Sequence, residues 1–567
     1  MSDANSRFQN HSRLVEVDRP RDLEIGRNPP RVLFSFLIIG AISFGAILPM
    51  FFLGIPSGHD FEFHLNSWLE VVRQWKHGII YPRWAALAQH GYGEARFLFY
   101  PPASWMLGGL LGMLLPWSAV PGAYIWIALS LAGCTMFLLA RRFFEWRDAL
   151  FAAAMYALNP YHLVIVYWRS AFAELLASCL LPLLLLLILR MKEEGSRIII
   201  PLALVVAAAW LTNAPSAVII NYSLALLIVL IAVLERTPKL LIYGAVAVIL
   251  GAALAAFYVL PAAYEEKWVN IAEVLSPGVR PQDNFLFTTI ADVDHNRFNL
   301  LVSVVGLTVM GVTGLCIILS RRFRRRAHGF WWTTAAWALA ATVLMFSFSF
   351  PLWEHLPKLR FVQLPWRWLL CLNLALAIFM TMALRRWTFR IVVCVALIGV
   401  IAGVWLRLQP PWWDTAADVA EMRDNVQSGR GYEGTDEYVP SGGDAYNVKQ
   451  DAPKAMLENE GAGRVRLASW EPESKMLVVD ALKPDRLILR LFNYPAWKAQ
   501  VNGKAVQINS QEDTGQMVIP VPAGVDRVEL KFTRTWDRTA GTAISAAALI
   551  GMIVAWMAAR KRQIVRA

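Results

Sequence analysis

The sequence predicts a polytopic α-helical membrane protein of about twelve transmembrane helices, with a C-terminal β-sandwich domain outside the cytoplasm. Three observations carry this fold class. Of the 567 residues, 57% are hydrophobic and only 17% charged, well outside the range of a soluble globular chain. Apolar runs long enough to cross a hydrocarbon core, about 20 helical residues each, recur along most of the chain. From Arg464 the pattern changes to short alternating segments such as RVRLASW, RLILRLF and RVELKF, the mark of half-buried strands.

The first apolar run, 32–53, follows a polar, Arg-rich leader, 1–31. It lacks a small-residue cleavage pattern and reads as a retained span. Orientation comes from basic clusters, which stay on the cytoplasmic side. They fall at Arg19/Arg21/Arg27/Arg31, Arg141/Arg142/Arg147, Arg190/Lys192/Arg197, Arg236/Lys239, 321–326, Arg385/Arg386/Arg390 and Arg560/Lys561/Arg562. Two crossings fit between successive clusters except in the first interval, which holds three apolar runs. The middle one, 103–120, contains Gly108, Gly109, Gly112 and Pro116 and suits a re-entrant or interfacial element. Both termini are then cytoplasmic. The expected order is a cytoplasmic segment (1–31), a transmembrane domain (32–408) with an extracytoplasmic loop (54–102), an extracytoplasmic β-rich domain (409–538), a final span (539–559) and a tail (560–567).

The net charge of +12 does not point to nucleic acid, because the basic residues sit in short loops between apolar runs and not on one soluble face. Cys134, Cys179, Cys316, Cys371 and Cys394 all lie in apolar segments without metal spacing or a paired framework, and read as structural thiols.

Polar residues concentrate in the outer loops. In SGHDFEFHLNSWLEVVRQWKHG (57–78), Phe61, Leu65, Trp68, Val72 and Trp75 recur at helical spacing, which predicts an amphipathic helix in the membrane surface. Asp60 stands at its start, either as an N-cap carboxylate or as a general base or metal ligand with Glu62 and His64 close by. Asp60 and His64, four apart, share a helix face. GEARFLFYPP (93–102) places Glu94, Arg96 and Tyr100 before a Pro-Pro stop; Arg96 reads as a phosphate partner or as a snorkelling interfacial cation. NPYHLVIVYWRSAFAE (159–174) brings Arg169 and Glu174 to the tops of two spans, where ionised groups are costly unless paired or functional. KLRFVQLPWRW (358–368) sets Lys358, Arg360, Gln363 and Arg367 at another outer mouth, against the inside-positive trend, and asks for an anion such as phosphate. A transporter would more readily place its ionisable groups near the midplane.

In the outer domain, Asn502-Gly503 between two alternating segments is a hairpin signal. The preceding stretch, 410–448, is polar and Gly-rich and reads as loop. Trp470, Tyr494 and Trp497 are sugar-stacking candidates if exposed, and core residues otherwise.

On these motifs the chain resembles the GT-C membrane glycosyltransferases, the group of oligosaccharyltransferase catalytic subunits, protein O-mannosyltransferases and aminoarabinose transferases. More closely, it resembles the bacterial polytopic family labelled 6-pyruvoyl-tetrahydropterin-synthase-related. The resemblance covers 32–407 and, more loosely, the outer β-domain and closing span. It implies a GT-C-like fold in the bacterial cytoplasmic (inner) membrane with the site facing the periplasm or exterior. It implies transfer, with inversion, of a sugar from a polyprenyl-phosphate-linked donor to a lipid, envelope glycan or protein acceptor. Asp60, with Glu62, would match the group's first acidic motif and Glu174 its second; the carboxylate assists attack directly or through a divalent cation, magnesium or manganese. Asp60, His64 and Glu174 are then the candidate metal ligands. Here the motif reads Asp-Phe-Glu in place of adjacent acids or Asp-x-Asp, so both routes stay open. Arg96, Arg169, Arg360 and Arg367 would hold the donor phosphate, with His64, Glu94, Tyr100 and Gln363 beside the substrate. No site for pterin chemistry is visible. The rival readings are a transporter or flippase for a lipid-linked sugar, which needs the clamp but no base, and a non-catalytic envelope assembly protein.

Overall fold

The computed structural model describes residues 29–324, 328–403, 413–459 and 461–564. The expected cytoplasmic leader up to residue 28, with Arg19, Arg21 and Arg27, lies outside the described residues. So do Arg325, Arg326, Arg407 and the last three residues of the tail.

The chain is mostly helical. Among the described residues, eight helices are long and apolar enough to cross a membrane, and ten if each of two sharply bent pairs is one span. About twelve were expected, and two further segments bear on the count among the described residues. The stretch Phe172–Thr212 counts once, although a turn at Gly195–Ile198 divides Leu180–Glu194 from Ile199–Thr212. Trp387–Gly403 has only 17 residues before the described region breaks. The glycine-rich run forms a helix, Pro102–Leu114, of 13 residues, too short for about 30 Å of hydrocarbon at 1.5 Å per residue. Pro365–Ala383 is wrapped on nearly all sides, whereas Trp536–Ala558 shows almost its whole surface to the outside.

The helix predicted after Asp60 spans Phe61–Lys76 and is largely covered by protein. Its apolar face packs on the bundle, with Trp68 stacked on Tyr124 and Phe172 at 5.0 and 5.5 Å. Of its polar residues, Asn66, Ser67, Glu70 and Gln74 are buried as well, by protein, while Glu62 and Lys76 are exposed. Glu70 accepts from Tyr432 at 2.5 Å and from the Leu87 amide at 3.2 Å, and Gln74 donates to the Trp84 carbonyl at 2.8 Å.

Strand β1 (Ile55–Pro56) pairs antiparallel with β2 (Trp413–Asp414), Ile55 opposite Asp414, clipping the start of the 54–102 loop to the entry of the β-rich region. The stretch expected as loop instead holds a helix, Ala416–Ser428, started by a capping box in which Thr415 and Asp418 bond reciprocally; Ala, Glu, Met and Arg within it are good helix formers.

Nine strands follow: β3 (Ala455–Leu457), β4 (Gly463–Glu471), β5 (Ser474–Ala481), β6 (Asp485–Phe492), β7 (Trp497–Val501), β8 (Lys504–Val506), β9 (Asn509–Ser510), β10 (Gln516–Val521) and β11 (Gly524–Phe532). They form a four-stranded sheet ordered β3-β6-β10-β9 and a five-stranded sheet ordered β4-β5-β11-β7-β8. Asn502 and Gly503, both at positive φ, make the tight β7–β8 turn. One apolar cluster joins residues of both sheets, Tyr494 and Trp497 included, with Trp84, Tyr92 and Leu98 of the 54–102 loop. The aromatics are therefore core. Arg538 at the head of the last helix grips Glu265 through two bonds of 2.7 Å, and Tyr494 donates to the same carboxylate at 2.5 Å.

Trp84 can enter that cluster because residue 93 is glycine: its φ is +79°, and a Cβ there would stand 2.3 Å from the indole Nε1. Gly93→Ala should lower stability by about 1–3 kcal/mol through strain and overpacking. Thermal unfolding of the purified chain in detergent reads this directly; an unchanged midpoint would remove the requirement.

Candidate active site

The site is assembled where the start of the 54–102 loop meets the turn after Trp146–Arg169. That helix widens into a single π-helical turn over Ile165–Arg169, and Ser170 then adopts a left-handed conformation at φ 51°. The reversal lets the Ser170 hydroxyl donate to the Pro56 carbonyl at 2.9 Å and accept from the Gly58 amide at 3.0 Å. The Asp60 amide donates to the Arg169 carbonyl at 2.9 Å. The two backbones approach so closely that a Cβ on Gly58 would lie 2.3 Å from the Trp168 oxygen. Two loops about 110 residues apart, as the Gly58–Ser170 bond measures, are thus fixed in register, with Asp60 held beside Arg169.

Glu174, one turn beyond, is buried and is the centre of the cluster. Arg169 donates to it at 2.6 Å, Arg367 at 3.0 Å and the Tyr161 hydroxyl at 2.5 Å. Arg367 also donates to the Val362 carbonyl at 2.6 Å and to Gln363 at 3.1 Å, while Gln363 donates to the Val274 carbonyl at 2.8 Å. The Arg169 guanidinium lies over the Trp366 ring at 4.8 Å. Arg169 and Glu174 therefore pair with each other, and Arg367 makes the pair a triad of two cations around one anion. Asp60 completes the charge balance from 4.0 Å, its side chain 42% exposed. No hydrogen bond from its own helix reaches the Asp60 carboxylate, so the N-cap role is not the one it fills.

Other candidates are placed differently. Glu62, two residues on, faces away from Glu174 and lines a cleft with Asp414 and Glu433; burial, and then those two carboxylates, push its carboxyl up. Arg360 is exposed and its side chain has no partner among the described residues, so it does not join the triad. Lys358 pairs with Glu266 at 3.4 Å. Arg96 is neither a phosphate ligand nor a snorkelling cation: buried, it donates to Glu94 at 2.6 Å and to Ser67 at 3.0 Å and lies 4.3 Å over Phe63. Glu94 in turn accepts from the Thr435 amide at 2.9 Å. This pair ties the 61–76 helix to the C-terminal region. Tyr100 packs edge-on against Phe63 and His64 at 4.7 and 5.8 Å.

His64 is fully enclosed by Phe172, Trp68 and Tyr100, its Nε2 without a partner; burial pushes its pKa down to about 4. Among the described residues, no three His, Cys, Asp or Glu side chains converge to hold a metal. Asp60, His64 and Glu174 do not fit the ligand set proposed for them: Glu174 is occupied by three donors and His64 sits in an aromatic box. Sequence reading missed Tyr161, Trp366, Ser170 and His59, which packs edge-on against Phe298 at 5.0 Å beside Asp60. Tyr161 and Trp366 stood inside the very motifs quoted, but nothing in the pattern gave their direction.

Two outcomes follow. Glu174→Gln leaves two buried guanidiniums around a neutral amide and should cost about 3–5 kcal/mol, read as a lowered unfolding midpoint in detergent. His64 stays neutral when folded down to pH about 4 but titrates near the ordinary imidazole value of 6.5 when unfolded. The unfolded chain therefore binds the extra proton between these values, and the His64 contribution, full above pH 6.5, is lost as pH falls toward 4. His64→Phe should flatten that part of the stability profile; an identical slope would place His64 in a more polar setting.

The description "6-pyruvoyl-tetrahydropterin synthase related domain; membrane protein" matches residues 97–410, a region that holds Arg169, Glu174 and Arg367 but not Asp60. No curated protein matches the chain. Among solved structures, the apo oligosaccharyltransferase of Archaeoglobus fulgidus is a distant likeness, with a TM-score of 0.36 and 15% identity over 71% of this chain and 56% of that one. The likeness thus spans a little over half the archaeal protein. By the family match, which covers more than half of its length, the chain belongs to the 6-pyruvoyl-tetrahydropterin synthase related family of membrane proteins.

Proposed function

We propose that the chain is a GT-C-type glycosyltransferase that moves a sugar from a polyprenyl-phosphate-linked donor to an acceptor outside the cytoplasm, with inversion. The observation that carries the reading is the contrast within one cluster. Glu174 accepts three hydrogen bonds from Arg169, Arg367 and Tyr161, whereas Asp60, beside Arg169, is half open and uncapped.

Asp60 is the group free to take a proton. In the proposed step the acceptor hydroxyl attacks the anomeric carbon while its proton passes to Asp60. The bond from that carbon to the phosphate oxygen breaks, and the electron pair leaves with the phosphate. Once Asp60 has taken the proton, two guanidiniums against one buried carboxylate leave a positive surplus as the phosphate departs. Arg169 and Arg367 are held rigid by Glu174, so their remaining N–H groups are preorganised for charge growing on the leaving phosphate. Exposed Arg360 is suited to meet the donor's headgroup earlier, at the membrane level. The reading places this end of the bundle, which also carries the β-rich region, at the extracytoplasmic face of a bacterial inner membrane with both termini cytoplasmic.

The test is sugar transfer in membranes from a strain lacking the chain, complemented with wild type or Asp60→Asn at matched protein level. Transfer should fall by about 10²–10⁴-fold, the usual worth of a general base. Undiminished transfer would take the base role from Asp60, and undiminished lipid-linked sugar translocation with no transfer in either strain would favour the transporter reading.

A further inference from the structure

A small cavity of about 40 Å³, room for about three waters or one phosphate group, lies where the end of the helix Phe61–Lys76 meets the β-rich region. Arg73 of that helix, Lys454, Lys475 of β5 and Arg490 of β6 line it together with one acid, Glu471. Glu471 faces His77 at 3.3 Å. Among the described residues, none of the four cations is ion-paired with a carboxylate, and the side chains of Arg73 and Lys454 donate to no group. Arg490 donates to the Ala452 carbonyl at 2.9 Å and also borders the acidic cleft of Glu62. A glycine lets it approach: a Cβ on Gly91, at φ +92°, would stand 2.8 Å from the Arg490 Nη2.

A second observation points to an anion. Lys475 is only 2% exposed, yet its ammonium meets dipoles and rings alone: the carbonyls of Glu471 and Pro472, and the faces of Trp470 and Trp497, each ring centre at 5.1 Å. An ammonium has three N–H groups, and the two carbonyls leave one without a partner among the described residues. Enclosing a cation without a counter-ion is costly. Its proton affinity shows the strain: burial pushes Lys475 down to about 7, with Arg73 and Lys454 adding to the effect and Glu471 and Glu473 opposing it. An anion seated in the cavity offsets these repulsions.

We propose that this cavity binds a phosphate group, held by the guanidiniums of Arg73 and Arg490 and the ammoniums of Lys454 and Lys475. Guanidiniums match phosphate oxygens in pairs, and a phosphate has enough oxygens to meet cations arriving from three elements, where a planar carboxylate has two. Trp470, with Lys454 at 6.0 Å and Lys475 at 5.1 Å from its ring centre, offers an apolar face to the carbon part of an ester. Arg73 stands roughly 20 Å along the helix from Asp60, at 1.5 Å per residue. The site is therefore separate from the Glu174 cluster and does not depend on the glycosyltransferase reading.

The experiment is calorimetric titration of the full chain in a maltoside detergent, which carries no phosphate, at pH 8 and fixed ionic strength. The probes are glycerophosphoglycerol and a short-chain phosphatidylglycerol, the same diester without and with acyl chains. Both should bind; equal affinity makes a soluble phosphate ester the source, and at least about tenfold tighter binding of the lipid makes it a headgroup. Measured in two buffers of different ionisation enthalpy, binding should take up as much as about one proton, because the incoming charge restores the Lys475 ammonium. Arg73→Gln/Lys454→Gln should weaken binding at least about tenfold, as loss of charge-assisted hydrogen bonds requires, while the unfolding midpoint without ligand does not fall. No binding of either probe, binding indifferent to the double variant, or binding without proton uptake would each overturn the site.

Discussion

One carboxylate between two guanidiniums organises this end of the molecule. Glu174 binds Arg169 from its own turn and Arg367 from a segment 193 residues away. Burying three charges is expensive, and only close, well-directed hydrogen bonds make it tolerable. Here each cation has a further support: Trp366 under Arg169, the Val362 carbonyl and Gln363 on Arg367. The turn that delivers Arg169 also presents Ser170, which holds Pro56 and Gly58. The position of Asp60 is thus a consequence of the triad and not of its own helix.

The helix Phe61–Lys76 is the wall between two polar regions. It is fastened by buried pairs that run to the C-terminal region, Glu70 with Tyr432 and Arg96 with Glu94 and then Thr435. Such fastenings contribute definition of one arrangement more than net stability. With β1–β2 and the Trp84 cluster they make the β-rich region a fixed part of the site's surroundings. Rigid surroundings are what preorganised charge requires.

The sequence showed the class of fold and the loops that matter, because composition and hydrophobic period are properties of the chain itself. Arg169, Glu174 and Arg367 could be named since ionised groups at span ends demand a reason. Their mutual arrangement could not, because it depends on a π-helical turn and a left-handed serine that no periodicity announces. Arg96 and Arg360 were indistinguishable from Arg367 by residue type and neighbourhood. Only packing decides that the first is enclosed with Glu94 and the second left outside. The helix Phe61–Lys76 was legible only as far as its period: an amphipathic pattern says that one face is polar, not whether lipid headgroups or buried protein partners meet it. The acidic helix entry at Thr415 was legible in principle as a Thr-x-x-Asp cap, but its Gly-rich flank dominated the reading.

The two carboxylates of the site differ in environment more than in chemistry, and environment is what divides the work between such groups. A proton acceptor needs a free lone pair in the direction of the substrate. Glu174 has its oxygens taken up by Arg169, Arg367 and Tyr161, so protonating it would break the pairing that holds both cations in place. Asp60 faces Arg169 at 4.0 Å with its side chain 42% exposed. In the proposed reaction this arrangement would separate positioning from proton transfer: the enclosed acid fixes the cations, and the open acid would be the one to react.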